Sequence, residues 1–506
     1  MNGNNGVWVG STTGGALLKL KGDDPLWQAS VPYDNNVAPP APAAWSNSGA
    51  GGLRLSRDGV AEGFSGAFAV GAAPGSPNAT RTFKASLLVS PVRNLNLTRH
   101  YSLRYAQLGG PSNYSFLASM GATVVNIHQG NVINPWINYP YLTNGIMGAT
   151  AAAVQALGMK FSIYNTMREL SNRCAETFAM RAMGDAFVPS GGGSPGADWL
   201  KEHVATDFLS AWSNPIPGEG NGFVIDAAMR VVALSRWNNY YVEGIQQMMR
   251  DFGLDGIYLD EIAYDRVTMK RMKKLLDQRG GVIDHHSDSG AFCVSPAMIY
   301  CEHYAYIDKL WYGEGFPYDT ASPEYWLVEM SGLAFGLTAE MLRYPGETPY
   351  HFKGMLFASS NRWQSGQDEA QYLTDPFVPV ALWRLWRDVR IDEAALFGFW
   401  LEDTALGTSA LPVRAAAHGD VVKVTTYLLP TQAVVAVASF APEDLPGVSF
   451  AFNTTLLASL PGGLSSKYCL QAPALPPFQP NASSYALDAV FTVPKGQGFI
   501  FLLAPC

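Results

Sequence analysis

The segment DGIYLDE, Asp255 to Glu261, decides the fold class. Its apolar centre has the length and flanks of a buried parallel strand, and it stops abruptly at two carboxylates. Working outward, apolar runs alternate with stretches of helical spacing from about residue 116. ATVVNIHQG (Ala122 to Gly130) precedes a small-residue helix around Gly145 to Leu157, then KFSIYNT (Lys160 to Thr166) precedes a helix containing CAETFAMRAMGD. GFVIDAAMRVVALS is ambiguous, and the helix YYVEGIQQMMRDFG leads into DGIYLDE. The basic helix VTMKRMKKLLDQR follows, then GVIDHHSD, YIDKLWYGEGF, SGLAFGLTAEM, GMLFASSN and the helix VPVALWRLWRDV. Seven or eight strand candidates of this kind point to an α/β fold, a (β/α)8 TIM-like barrel. The alternative, a doubly wound open sheet, lacks the Gly-rich phosphate loop expected after its first strand.

The flanks read differently. Before about residue 104, ALLKLKG, GLRLS, GAFAVG and KASLLVS are short alternating stretches, and VAPPAPAAW is a Pro/Ala loop. After about residue 405, DVVKVTTYLL, AVVAVASF, GVSFAFN, AVFTV and GFIFLL alternate again. The expected domains are thus a β-sandwich at 1–104, whose start is open to being truncated, the barrel at 105–400 and a C-terminal β-sandwich at 401–506. No repeat of fixed period is visible.

The 506 residues are 48% hydrophobic and only 15% charged, below the roughly 25% of ordinary globular domains, with 50 Gly and 33 Pro. Disorder and a coiled coil are excluded. A net charge of −8 argues against a nucleic-acid partner. No apolar run reaches the ~20 residues of a membrane span, and MNGNNGVWVGSTTGG shows neither the basic n-region nor the apolar h-region of a signal peptide. Asn78, Asn96, Asn113, Asn453 and Asn481 head Asn-X-Ser/Thr acceptor triplets confined to the flanks, so the expected location is secreted or cell-surface. The cysteines allow two bridges, Cys293–Cys301 and Cys469–Cys506 with Cys174 free, or five unpaired thiols.

Catalytic groups of such barrels gather at the C-terminal ends of the strands. The polar residues ending each run are Asn126, His128 and Gln129; Asn165, Arg168 and Glu169; Asp260, Glu261 and Asp265; Asp284, His285, His286 and Asp288; Trp311, Tyr312 and Glu314; Glu340; Asn361 and Arg362. Carboxylates, amides and aromatics on one rim make a carbohydrate site. A glycosidic bond breaks through an oxocarbenium-like transition state, which needs an acid for the leaving oxygen and a carboxylate or acetamido group at C1. Two adjacent strand-end acids have their pKa values driven apart by burial and like charge. The candidates are Asp260, Glu261 and Glu314 for catalysis, and His128, Asn165, Arg168, Asp265, His286, Trp311, Tyr312, Glu340 and Asn361 for substrate binding.

Plainer readings exist for several of these. Asp260 could cap the next helix or pair with Arg266, Arg168 and Glu169 could be a structural pair, and the histidines near Asp284 fit hydrogen-bonding loop residues better than a metal site. No metal or cofactor is expected. The methionines of IQQMMRDF read as core and the charges of VTMKRMKKLLDQR as a solvated face. PSGGGSPGADW and PIPGEGNG read as Gly/Pro-rich insertions at the rim, and no nucleophile elbow, Walker loop or CxxC motif is present.

NIHQGNVINPWINYPY, IYNTMRELSNRCAETFAMRAMGD, SRWNNYYVEGI, DGIYLDEIAYDR, LWYGEGFPY and YWLVEMSGLAFGL together resemble a glycosidase family related to glycoside hydrolase family 123, over roughly residues 10 to 400. Its characterised members are β-N-acetylgalactosaminidases. The resemblance implies a barrel with β-sandwich flanks and an exo-acting, retaining, substrate-assisted hydrolase. Asp260 matches the acid that orients the 2-acetamido group, whose carbonyl oxygen attacks C1, and Glu261 matches the general acid/base. A rival scheme, similar to retaining α-glycosidases, makes Asp260 a covalent nucleophile and Glu314 the acid/base, with carboxyls about 5 to 5.5 Å apart. The expected partner is a glycan. The competing functional class is an inactive glycan-binding or structural glycoprotein within a larger extracellular assembly.

Overall fold

The structure, a computed structural model, describes residues 6–21, 52–57, 64–69, 82–167, 169–182, 210–217, 223–231, 235–260, 266–286, 301–311, 318, 320–342, 351–364, 378–403, 408–465, 467–476 and 479–506. Eight parallel strands close into a barrel in chain order: β1 (Tyr105–Leu108), β2 (Val124–Ile127), β3 (Lys160–Asn165), β4 (Gly256–Leu259), β5 (Val282–His286), β6 (Lys309–Trp311), β7 (Ala339–Leu342) and β8 (Ser360–Gln364). The α/β barrel reading therefore holds. Its strand count needed two corrections. YAQL is the first strand, too short and too mixed to stand out beside the longer apolar runs. The ambiguous Phe223–Arg230 leaves the barrel and forms an antiparallel sheet with Ser210–Pro217 and Glu169–Ser171 in the connection between β3 and β4.

Alternation along each strand sorts the side chains. Ala106, Val125, Ile127, Phe161, Ile163, Ile257, Leu259, Ile283, Leu310, Ala339, Met341 and Trp363 belong to the main apolar core between barrel and helices. Helix α1 (Asn144–Ala156) contributes Met147, Ala151 and Val154 to that core. Helix α2 (Arg236–Phe252) is capped by Ser235 and stopped by Gly253 at φ 69°, and it buries Trp237, Tyr241, Ile245, Met248, Met249 and Phe252 at helical spacing. The methionines read as core are core. Helix α3 (Arg266–Leu276) points Lys270 and Lys274 to solvent, but its Lys273 reaches the buried carboxylate of Asp308 at 3.0 Å, a departure from a purely solvated face. A Cβ on Gly256 would fall 2.5 Å from Val282 Cγ2, so β4 begins with the residue that allows the close strand approach.

An antiparallel sheet of Gly6–Gly10, Gly15–Lys21 and Lys84–Ser90 and a hairpin of Gly52–Arg57 with Phe64–Ala69 are described in the N-terminal region. The sheet meets the barrel through Trp8 against Phe335 and through the Lys21–Glu302 ion pair at 3.0 Å.

At the other end, six antiparallel strands follow helix α4 (Val378–Val389) in the order Ala395–Phe397, Val422–Leu428, Ala433–Ser439, Gly498–Pro505, Tyr468–Ala472, Ser483–Tyr485. Both faces of this sheet are buried. Val434, Ala436, Ala438 and Ile500 join the barrel core, while Val435, Val437, Phe501 and Leu503 join a second core with Val413, Phe450, Phe491 and Val493. That explains why AVVAVAS shows no polar alternation.

Cys174, Cys301, Cys469 and Cys506 are free, and Cys293 lies outside the described residues. The expected Cys469–Cys506 pair stands diagonally across adjacent antiparallel strands, thiol hydrogen-bonded to thiol and unbridged.

Candidate active site

Asp260 follows β4 directly, at the C-terminal end of the barrel. Its backbone N–H donates to the Asn165 carbonyl at 2.9 Å, which continues the β3–β4 pairing and fixes where the carboxylate emerges. The Tyr164 hydroxyl donates to Oδ2 at 2.5 Å, and His286 Nδ1 lies 2.6 Å from Oδ1. The Tyr258 hydroxyl lies 3.4 Å from Oδ1 and 2.9 Å from the same imidazole nitrogen. A carboxylate only accepts, so His286 carries its proton on Nδ1. Burial by itself would push the Asp260 carboxyl up. The hydrogen bond and charge of His286, the Tyr164 hydroxyl and the charge of His128 outweigh it and hold the acid well below the usual carboxylate range. Its side chain stays 24% exposed, so the anion faces the barrel mouth.

Each partner comes from a separate element. Tyr164 and Tyr258 are in register on β3 and β4, and both point inward by the period of two. His286 ends β5 and lies flat on Trp311 at the end of β6, with ring centroids 4.0 Å apart and planes 18° apart. His128, just past β2, leans on Tyr164 with centroids 4.3 Å apart. Tyr164, Tyr258, Trp311, Ile137 and Ala228 form one small apolar cluster, so the β3–β4 excursion packs onto the mouth. Asp226 secures that excursion by accepting from the Ile137 N–H and the Ser171 hydroxyl.

Below this rim the barrel interior is charged rather than filled with branched apolar side chains. Arg362 of β8 is fully buried and binds Glu340 at 2.7 and 3.0 Å and, through the same Nη2, Asp284 of β5. Its guanidinium stacks over Trp311 at 4.6 Å, Tyr105 at 4.9 Å and Tyr258 at 5.5 Å. Burial and the adjacent Glu340 push the Asp284 carboxyl up, against the pull of Arg362. Lys309 donates to Ser360 Oγ at 2.6 Å and to His100 Nδ1 at 3.0 Å, and burial brings its ammonium down to about 8. Two acids and two bases thus share the interior, which is closed at the N-terminal end by Leu103, Tyr105, Val124 and Val282.

The structure gathers His128, Asp260, His286 and Trp311 at one point. Glu340, expected at the rim, is buried in the ion cluster. Asn165 and Asn361 share strand parity with Ile163 and Trp363 on the helix-facing side, away from the mouth. Arg168, Glu261, Asp265, Tyr312 and Glu314 lie outside the described residues, as does Asp288. Glu169 is described and accepts from the Thr166 hydroxyl at 2.9 Å. Arg266 lies over the Tyr306 ring. Asp284, His285 and His286 diverge: the first pairs with Arg362, the second sits beside His303 and Tyr304, the third holds Asp260. Among the described residues no group of three or more His, Cys, Asp or Glu could hold a metal. Sequence reasoning missed Tyr164 and Tyr258; counting back by two from Asp260 finds Tyr258, and its register partner is Tyr164.

Of the acceptor asparagines, Asn96, Asn113 and Asn481 are exposed, Asn453 is half-buried and Asn78 is outside the described residues. No described helix is long and apolar enough to cross a membrane.

Comparison with known proteins agrees with the barrel fold. Among solved structures, a noncanonic maltogenic α-amylase from Thermotoga neapolitana matches with a TM-score of 0.50 and 10% identity, covering 81% of this chain and 100% of its own. An α-amylase from Anoxybacillus matches with a TM-score of 0.50 and 10% identity, covering 80% of this chain and 98% of its own. At that identity the likeness is one of fold. No curated protein sequence matches the chain. The family model for the glycoside hydrolase 123 TIM-barrel domain matches residues 96–364, and that for the glycoside hydrolase 123 C-terminal domain matches residues 378–504. The chain therefore belongs to glycoside hydrolase family 123.

Proposed function

We propose that the protein is a secreted glycoside hydrolase that cleaves N-acetylhexosamine-containing glycans, with the substrate's own acetamido group as the nucleophile. The observation that carries this reading is the Asp260 carboxylate, held ionised at the barrel mouth by Tyr164 and His286. An orienting acid has to be an anion. It accepts the acetamido N–H and stabilises the positive charge that grows there as the carbonyl oxygen closes on C1. A proton donor, by contrast, has to hold its proton near neutral pH, and a depressed carboxyl does not. Glu261, next in the chain, takes that second role. It protonates the leaving oxygen as the C1–O bond breaks, then accepts a proton from the water that attacks C1 and reopens the ring. Two displacements at C1 give net retention. Secretion is supported by the exposed acceptor asparagines Asn96, Asn113 and Asn481.

The test is mass-spectrometric detection of sugar released from a mixed library of α- and β-linked hexosides and N-acetylhexosaminides by the wild type, Asp260→Asn and Glu314→Gln. Release confined to N-acetylhexosamine, lost in Asp260→Asn and kept in Glu314→Gln, is the expected result. Cleavage of sugars without the acetamido group, lost on Glu314→Gln, would replace it with the covalent scheme. Sugar binding without any release would leave a non-catalytic glycan-binding protein.

A further inference from the structure

The imidazole that holds Asp260 is itself held. His286 has Trp311 along one face, and the Arg362 guanidinium also lies over the Trp311 ring, 4.6 Å from its centroid. Trp311 is only 3% exposed, so neither of its faces is open to a sugar ring. Arg362 in turn is fixed by Glu340 and Asp284. An aromatic residue at the barrel mouth, expected to stack on a sugar, is thus packed against an imidazole and a guanidinium of its own chain.

We propose that Trp311 is a positioning residue: it fixes the ring plane of His286, and through that ring the orientation of Asp260, by joining His286 to the Arg362–Glu340–Asp284 cluster. This rests on the reading of Asp260 as the ionised reactive group. The directional logic is geometric. A donor at 2.6 Å keeps its strength only within a narrow angle, and a flat imidazole free to swing about its Cβ–Cγ bond would sample that angle for a fraction of the time. A parallel ring at 4.0 Å narrows the swing, adding to the Tyr258 hydroxyl 2.9 Å from Nδ1. Asp260 is otherwise faced by Tyr164 from β3, by Tyr258 from its own strand and by His128 from beyond β2. Those contacts and the backbone bond to Asn165 keep the strand end folded without Trp311, so the loss of Trp311 should loosen the His286 donor to Oδ1 rather than unfold the site.

The experiment compares wild type, Trp311→Leu, Trp311→Phe, His286→Asn and the Trp311→Leu/His286→Asn double variant. The first readout is the titration of the Asp260 carboxyl by carbon-13 NMR of aspartate-labelled protein, assigned with Asp260→Asn. The second is kcat and KM on the best substrate from the library. Trp311→Leu is expected to raise the Asp260 titration by about one unit and to lower kcat by roughly tenfold to a hundredfold with KM little changed. Trp311→Phe, which keeps a flat face, should restore most of both. The double variant should be no worse than His286→Asn alone, since both changes cut the same path. Unchanged titration in Trp311→Leu, a rise confined to KM, additive losses in the double variant, or Phe behaving as Leu would each overturn the proposal. If no glycan is hydrolysed but the titration still moves through His286, the positioning role stands and the functional reading falls.

Discussion

The Tyr164 hydroxyl donates to the Asp260 carboxylate at 2.5 Å from the neighbouring strand, so this mouth carboxylate is held from the side as well as through its own backbone. Burial opposes its ionisation, and the donors more than offset that. Removing the hydroxyl with Tyr164→Phe should let the Asp260 carboxyl rise. In the wild type the group stays charged as pH falls past the ordinary range near 4. In the variant it takes up a proton earlier. The acid limb of kcat/KM is expected to move to higher pH by about one unit, with little change at pH 7. Superimposable pH profiles would remove Tyr164 from the account.

Arg362 balances two carboxylates inside the barrel. Arg362→Met leaves Asp284 and Glu340 buried with no hydrogen-bonded cation between them, since Lys309 donates to His100 and Ser360. Breaking a buried pair this way costs about 3–5 kcal/mol. Urea denaturation should register that loss. Replacing all three with apolar residues of similar volume should be milder than the single change, because no orphaned charge remains.

Glu302 ties the N-terminal sheet to the barrel by accepting from Lys21 at 3.0 Å and from Ser86 at 3.2 Å. Burial raises its carboxyl, but Lys19 and Lys21 bring it down to about 2. The folded value lies below the unfolded one, so the stability it lends is fully present above the ordinary carboxylate pKa, about 4.3, and is lost as pH falls toward 2. Glu302→Gln should therefore cost roughly 1–3 kcal/mol at pH 7. Thermal melts of the two proteins should converge between pH 4 and 2, and a constant gap down to pH 2 would contradict the assignment.

Tyr427 joins the C-terminal sheet to the barrel, donating to the Met355 carbonyl at 2.5 Å and lying 3.2 Å from the Tyr101 hydroxyl. Tyr427→Phe removes that donor and takes away the acceptor of the buried Tyr101 hydroxyl. A loss of about 1–2 kcal/mol is expected by chemical denaturation, with activity unchanged at 25 °C.

The fold was largely legible because a parallel barrel strand, buried on both faces, writes itself as an apolar run ending in polar residues, as in DGIYLDE and GVIDHHSD. Two strands defeated that rule. YAQL carries a buried polar residue, Gln107, which accepts from Asn126 inside the barrel and breaks the apolar run. Phe223–Arg230 has the composition of a barrel strand, and only its antiparallel partners, Ser210–Pro217 just before it and the distant Glu169–Ser171, show otherwise. The site was legible in part. Asp260 and His286 follow from strand ends. Glu340 and Trp311 share that position in sequence but are claimed by Arg362, a contact made across the barrel that no local pattern records. Lys273 looked like part of a solvated face because its partner, Asp308, is contributed by a distant strand end.

The central claim is that Asp260 acts as an anion on an acetamido group. The most direct measurement is the hydrolysis rate of a matched pair of substrates, an N-acetylhexosaminide and the same hexoside without the acetamido group, by the wild type and by Asp260→Asn. Only the first is expected to be cleaved by the wild type, with kcat falling by at least about a hundredfold in Asp260→Asn. Equal cleavage of both substrates, or an Asp260→Asn rate within a few-fold of the wild type, would contradict it.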